Sequence, residues 1–251
     1  MTSGARRQDT GMPTPDQCGV LPAGLGLDVG ALARLFDDAT NAYKHLLFRA
    51  LLEEFREGGF QTSIFPLSRL ASGMLAAAWY PCRVHRLSLG VQDQVAKVLG
   101  AVDFIGEGLP PAAKVRQEML AKSPDVGDLL RFVPCRLIAP FFAQDLKGVP
   151  DHRRNARIRQ CADMVFWTVR LLYRFAGVDA IELHPDWAAY IAGNFAIVSG
   201  WAERRWIAYL QSRNPLAPAV SEKIAPPASR APLTFQTSYS ATPVIGQRLF
   251  Q

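Results

Sequence analysis

The apolar positions of this chain mostly fall three and four residues apart, which is the spacing of one helix face. Leu32, Leu35 and Phe36 open the pattern just after Asp28. Asp37 and Asp38 interrupt it, and Thr40 or Asn41 is placed to cap a longer helix. In that helix Leu46, Leu47, Ala50, Leu51 and Phe55 share one face, and Arg49, Glu53, Arg56 and Glu57 share the other. Arg49 and Glu53, one helical turn apart, can pair. Gly58 and Gly59 end the helix, because glycine takes the left-handed cap conformation readily. An extended piece over 60–65 precedes Pro66, which suits the first turn of the next helix. That helix carries Leu67, Leu70, Met74, Leu75 and Ala78. Gly73 and the alanines at 76–78 give it a slim profile that lets another backbone approach. Trp79 and Tyr80 stand at its end, to close the core. Pro81 biases Tyr80 away from helical dihedrals and is expected to stop the helix there.

The same spacing continues at Val91, Val95, Val98 and Leu99, until Gly106 and Gly108 break it. Pro110 and Pro111 open a helix through Val115, Met119 and Leu120, and 125–131 predicts one more short helix. The run FVPCRLIAPFF at 132–142 holds two prolines, which disfavour a regular helix or a central strand, so it reads as buried extended chain. A polar loop at 145–151 leads into HRRNARIR at 152–159, with helical spacing onward through Ala162, Val165 and Phe166. Segments 171–175 and 180–183 flank Ala176-Gly177-Val178-Asp179 and predict a hairpin. His184-Pro185-Asp186 stops the second strand and caps a helix lined by Trp187, Tyr190, Ile191, Phe195 and Val198. Gly193 and Gly200 mark places for a kink or close packing, and the helical signal ends at Asn214-Pro215. The predicted fold class is mainly α: a multi-helix globular domain with a small β-hairpin and short extended segments. It spans 28–215, with candidate sub-boundaries near 106–124 and 145–151. A disordered N-terminal tail, 1–27, and a poorly ordered C-terminal tail, 216–251, flank it, since both are rich in small residues and proline.

Composition narrows the partners more than the fold. A chain of 251 residues with 49% hydrophobic residues can fill a sizeable core. Its formal net charge of +6 favours polyanions: DNA first, an anionic membrane surface second. The same balance also fits a basic enzyme with no such partner. No window reaches the ~20 apolar residues of a membrane span, and the first residues hold no apolar run of signal-peptide length. No membrane partner and a cytoplasmic location with reduced thiols are therefore expected. Cys18, Cys82, Cys135 and Cys161 are widely spaced with no CxxC pair, which gives no support to a zinc site or redox dithiol.

Candidate chemistry is thin. Cys82 and His85 could form a thiolate–imidazole pair, but no oxyanion loop and no third orienting group accompany them. His45, His85, His152 and His184 fall in no HxxxH or HExxH pattern. His45 reads as a packed or rim residue, and His184 as a turn or cap residue. Asp37-Asp38 and Glu53-Glu54 are adjacent pairs whose side chains diverge, and they read as solvated faces or caps. GLGLDVG at 24–30 lacks the GxGxxG spacing.

Arginine gives the better signal. Arg153, Arg154, Arg157 and Arg159 form the densest cationic run, and Arg153 and Arg157 share a helix face suited to gripping phosphates. Arg204, Arg205 and Arg213 lie beside Trp201 and Trp206. There the aromatics either stack bases between arginines or fill the core and leave the arginines on a wet face. Arg83 and Arg86, with His85, Gln92 and Gln94, form a third zone beyond Pro81, on a loop and helix start that could hold a phosphate.

The order of several motifs is also informative. Tyr43-Lys44 leads a helix; Ala78-Trp79-Tyr80-Pro81 ends the alanine-rich one; Leu87-Ser88-Leu89-Gly90-x-Gln92-Asp93 follows. Later come Pro134-x-Arg136-Leu137-x-x-Pro140-Phe141-Phe142, Leu172-Tyr173, Trp187-x-x-Tyr190-x-x-x-Asn194, and Tyr209-Leu210-Gln211-x-Arg213-Asn214-Pro215. Over roughly 41–232 this series resembles the N-terminal region of bacterial HNH-endonuclease-domain proteins of restriction or defence type. In that family a ββα module follows and hydrolyses phosphodiesters with a His base and a divalent cation. This chain departs there. Beyond Leu233 it reads TFQTSYSATPVIGQRLFQ, and no histidine follows His184. The module is expected to be lacking, by truncation or from the outset. No catalytic residue carries over, and no cofactor is expected for this chain, a divalent metal belonging to the HNH module alone. The resemblance then implies a helical accessory region that positions DNA or meets a partner. The alternatives are a protein-interaction domain or homo-oligomer exposing Trp187, Trp201 and Trp206, and an independent enzyme working through Cys82 and His85.

Overall fold

The apolar face of Leu46, Leu47, Ala50, Leu51 and Phe55 becomes the centre of the molecule. The computed structural model describes residues 20–90, 94–100, 112–122 and 130–226. Nine α-helices form among them: α1 (Val29–Ala33), α2 (Tyr43–Glu57), α3 (Leu67–Trp79), α4 (Gln94–Gly100), α5 (Ala112–Lys122), α6 (Val133–Ile138), α7 (Asp151–Val165), α8 (Pro185–Gly193) and α9 (Phe195–Arg213). Three short strands join them: β1 (Ile64–Pro66), β2 (Tyr173–Ala176) and β3 (Ala180–Leu183). The mainly helical class with a hairpin is the observed one.

Helix α2 packs against α3, α6 and α9 at once. That is why Phe48 and Leu52 are buried along with the expected face. Closest approach is to α3, where Gly73 faces Ala50. At the start of α1, the Asp28 carboxylate accepts from the Ala31 amide at 2.7 Å, a side-chain N-cap. Asn41 receives the Tyr43 amide at 3.3 Å one residue before the Ala42 cap position of α2. Arg49 does not form the expected pair within its helix but reaches Glu203 of α9 at 3.7 Å, and Glu53 takes Arg56 at 2.7 Å. The adjacent acids 53 and 54 do not share a wet face either. Glu54 is buried and holds Arg69 and Arg116, from α3 and α5, at 2.9 and 3.3 Å.

The hairpin forms as the pattern predicts, with Gly177 at φ 71° in its turn and Ala176 opposite Ala180. β1 adds antiparallel to the other side of β3, in the order β1-β3-β2. Phe65, Ile181, Leu183, Tyr173 and Phe175 point into the core. Ile64, Glu182 and Arg174 lie in register on the opposite face.

Proline-based expectations fail in two places. Helix α3 ends at Trp79, but Pro81 does not turn the chain out of the helical path. Tyr80 keeps helical dihedrals (φ −62°, ψ −51°), and Tyr80–Val84 forms a π-helical turn. The wider turn accommodates a ring that would clash with the carbonyl four residues back, and tolerates its missing donor. The 132–142 run is not extended either. Pro134 sits in the first turn of α6, and Pro140 in the first turn of the 3₁₀ segment Ala139–Phe142, where no amide donor is required. Gly200 leaves its helix unbroken, and the long helix after Pro185 breaks one residue beyond Gly193, at Asn194. Its amide nitrogen donates back to the Tyr190 carbonyl at 2.9 Å.

One contiguous core runs from Leu21 to Ile224. It includes Leu146, within the polar 145–151 segment. Residues 20–27 and 216–226, expected to belong to the tails, pack on this core. Leu21 is buried and the Pro22 carbonyl accepts from Tyr190 Oη at 2.8 Å, while Val220 and Ile224 are buried at the other end. The predicted helix at 125–131 lies largely outside the described residues, as do Cys18, Gln92, Gly106, Gly108 and residues 1–19 and 227–251. No helix among the described residues is long and apolar enough to cross a membrane.

Candidate nucleic-acid interface

The nine candidate arginines lie in three parts of the fold, and their neighbours sort them. Arg205 of α9 gives its guanidinium to Asp37 at 2.6 Å. Arg213 donates to the Thr40 carbonyl at 3.0 Å and lies over the Tyr209 ring at 5.2 Å. Both are structural ties between α9 and the loop before α2. Trp201 and Trp206 are buried, so no aromatic interleaves the α9 arginines at the surface, and Arg204 alone projects outward without a partner among the described residues. Arg83 and Arg86 are exposed around the π turn, with Arg86 in the left-handed region at φ 52°.

Helix α7 carries the other four. Pro150 precedes it, and Asp151 in its first turn holds Arg136 of α6 through two short contacts, 2.6 and 2.9 Å. That pair keeps the Asp151 carboxyl below its ordinary range, chiefly through the hydrogen bond from Arg136. Arg154 turns back to the Val149 carbonyl at 3.0 Å. Arg159 lies on the Phe175 ring at 4.1 Å. It also borders a cleft of about 420 Å³ lined by Leu67, Ser68, Leu130, Arg131, Val178 and Asp179. Arg153 and Arg157 do neither. Both are exposed, one turn apart, and no carboxylate among the described residues pairs with either.

Sequence reasoning missed the residue at the far end of this helix. Past Val165 the chain takes a second π turn, Phe166–Arg170, closed by Arg170 at φ 52°. Phe166 turns inward and Trp167 outward, 58% exposed, with Met164 at 64% and Val169 at 48% beside it. The inner side of the indole is fixed: its ring is 4.8 Å from Phe166, 5.3 Å from His184, and 5.8 Å from the Arg174 guanidinium. Arg174 is in turn held by Glu182 at 2.8 Å. Positions 153, 157, 160 and 164 fall on one helix face at 3.6 residues per turn, and all are exposed. The clue in the sequence was Phe166-Trp167, two adjacent large rings on a helix whose buried face has room for one.

His45 and His184 have structural roles, and His152 is exposed. His45 stacks on Phe36 at 4.1 Å between centroids, and its pKa is lowered to about 3 by burial and by Arg205, Arg49 and Lys44. His184 accepts the Asp186 amide at 3.1 Å as the cap of α8, and burial lowers its pKa. Cys82 is half-buried on the first π turn, and His85 stands edge-on to the Tyr80 ring at 4.9 Å. No group of three His, Cys, Asp or Glu side chains among the described residues could hold a metal ion.

The motif residues behind the family resemblance meet in space, in structural roles. Asn214 brackets Ser88, accepting its amide at 2.8 Å and donating to its carbonyl at 2.9 Å. Tyr209 donates to the Leu89 carbonyl at 2.8 Å, and Tyr43 accepts the Gln94 amide at 2.8 Å. Tyr173 donates to the Pro134 carbonyl at 2.6 Å, and Trp187 to the Arg170 carbonyl at 2.7 Å. Comparison with protein-family models, curated proteins and solved structures gives no match to this chain. Among the described residues the chain is mainly helical with a three-stranded antiparallel sheet, and Arg153 and Arg157 are exposed on one face of α7.

Proposed function

We propose that this chain is the nucleic-acid-binding or positioning region of an HNH-type DNA endonuclease, with α7 as the contact element and cleavage assigned to none of its residues. The observation that supports the reading is the pair Arg153 and Arg157. They stand exposed at i, i+4 with no carboxylate partner among the described residues, while Arg154, Arg159, Arg205 and Arg213 are engaged within the fold. Two free guanidiniums on one face grip phosphates without reading bases, which suits positioning rather than sequence recognition. The net charge of +6 adds a favourable long-range field.

The test is DNA affinity across a salt series. Wild-type binding is expected to weaken steeply with salt. The Arg153→Glu/Arg157→Glu pair is expected to lower affinity at least about tenfold and flatten the log–log slope by about two. Binding that ignores salt, or none at low salt, refutes the reading. A protein-interaction reading requires Trp187, Trp201 and Trp206 on an exposed interface. All three are buried, so that set offers no such surface.

A further inference from the structure

We propose that the α7 face takes single-stranded nucleic acid, with Trp167 stacking an unpaired base and Arg153 and Arg157 holding the neighbouring phosphates. The inference rests on the reading of α7 as a polyanion-binding face and specifies its ligand. Tryptophan is highly buried on average, and Trp79, Trp187, Trp201 and Trp206 follow that rule at 8%, 0%, 6% and 0% exposure. Trp167 departs from it at 58%. It is not a loose side chain: Phe166, His184 and Arg174 hold it from within, so its free side is presented in a fixed orientation. A π turn ending in a non-glycine residue at φ 52° places it there. Such turns inside helices frequently mark functional positions, and such backbone persists only where its surroundings enforce it.

Charge decides the occupant. The apolar end of the stripe, Met164 and Trp167, is continuous along one helix with Gln160, Arg157 and Arg153. From Arg153 to Trp167 the helix rises about 20 Å, room for several nucleotides. A strand lying along it meets cations at one end and a flat ring at the other, the combination that binds single strands without sequence preference. Asp163, exposed on the flank one turn before Trp167, repels phosphate from the aromatic end and favours a base there. A duplex keeps its base faces stacked and would engage the arginines alone.

The full-length chain is titrated with fluorescein-labelled oligothymidylate and with a blunt duplex of equal length, at low salt. Trp167→Ala is expected to weaken oligothymidylate binding about tenfold, the size of one lost base stack, and to change duplex binding less than twofold. Trp167→Phe retains most of the affinity. Oligothymidylate quenches the intrinsic fluorescence of the wild type and not of Trp167→Ala. Matching thermal midpoints confirm that the variants fold, as expected for an exposed ring. Equal loss on both probes, or unchanged oligothymidylate binding, overturns the stacking proposal and leaves the α7 reading standing. Binding of neither probe by the wild type overturns both. A dimer that Trp167→Ala dissolves, with nucleic-acid binding unaffected, overturns the stacking proposal in favour of a protein contact.

Discussion

Gly73 and Ala50 set the distance between the two central helices. A Cβ added at Gly73 would lie 3.0 Å from the Ala50 Cβ and 3.5 Å from its Cα. Atoms of an adjoining helix backbone cannot swing aside as a long side chain can, so the two helices would have to separate. Gly73→Val is therefore expected to destabilise the protein by about 1–3 kcal/mol, the usual cost of overpacking a core, with β-branching adding to it. Urea unfolding checks this. A midpoint equal to that of the wild type would show that α3 can shift freely on α2.

His45 makes stability depend on pH. Its pKa falls from 6.5 to about 3 on folding. Between those values the unfolded chain takes up a proton that the folded chain refuses. The stabilisation is complete above about pH 6.5 and is lost as pH falls toward 3, with a slope of at most about 1.4 kcal/mol per unit from this group. His184, also lowered, acts in the same direction. His45→Phe keeps a ring against Phe36 and removes the titration. Thermal midpoints from pH 7 to pH 4 are expected to fall less steeply for this variant than for the wild type. Parallel curves would show that His45 accepts its proton without cost.

The helices were legible because their spacing depends only on neighbours three and four residues away. The hairpin was legible because Gly177 supplies the positive φ its turn requires. Proline misled at 81 and at 132–142, because its cost depends on its place within a helix. Pro134 and Pro140 occupy first turns, which no count of prolines reveals. At the candidate site, Arg153 and Arg157 were visible as an i, i+4 pair, but their freedom from partners was not. Arg205 is matched to Asp37 across 168 positions, and no local pattern distinguishes it from Arg204. Trp167 was hidden by the same limit. Exposure is decided by what packs over the other side of α7, and β2 and α6 do so.

Glu54 shows what such distant pairing does for stability. Its side chain is 6% exposed and meets Arg69 of α3 and Arg116 of α5. Arg116 is 16% exposed and also bridges to Glu57 and, at 3.9 Å, to Glu53. Arg69 is 55% exposed, so water screens its share. Removing Arg116 would leave three neighbouring carboxylates, one of them buried, with the solvated Arg69 and Arg56, and Arg49 beside Glu53, for compensation. Arg116→Leu is expected to cost about 2–4 kcal/mol, toward the range for breaking a buried pair. Arg69→Leu is expected to cost under about 1 kcal/mol. The double variant Glu54→Leu/Arg116→Leu should recover much of the loss, since apolar packing can replace a buried ion pair. Urea midpoints at unchanged slope measure all three. Equal losses from Arg69→Leu and Arg116→Leu would mean that water reaches Glu54 well enough to make either partner dispensable, and that α5 is held to α3 by apolar contacts alone.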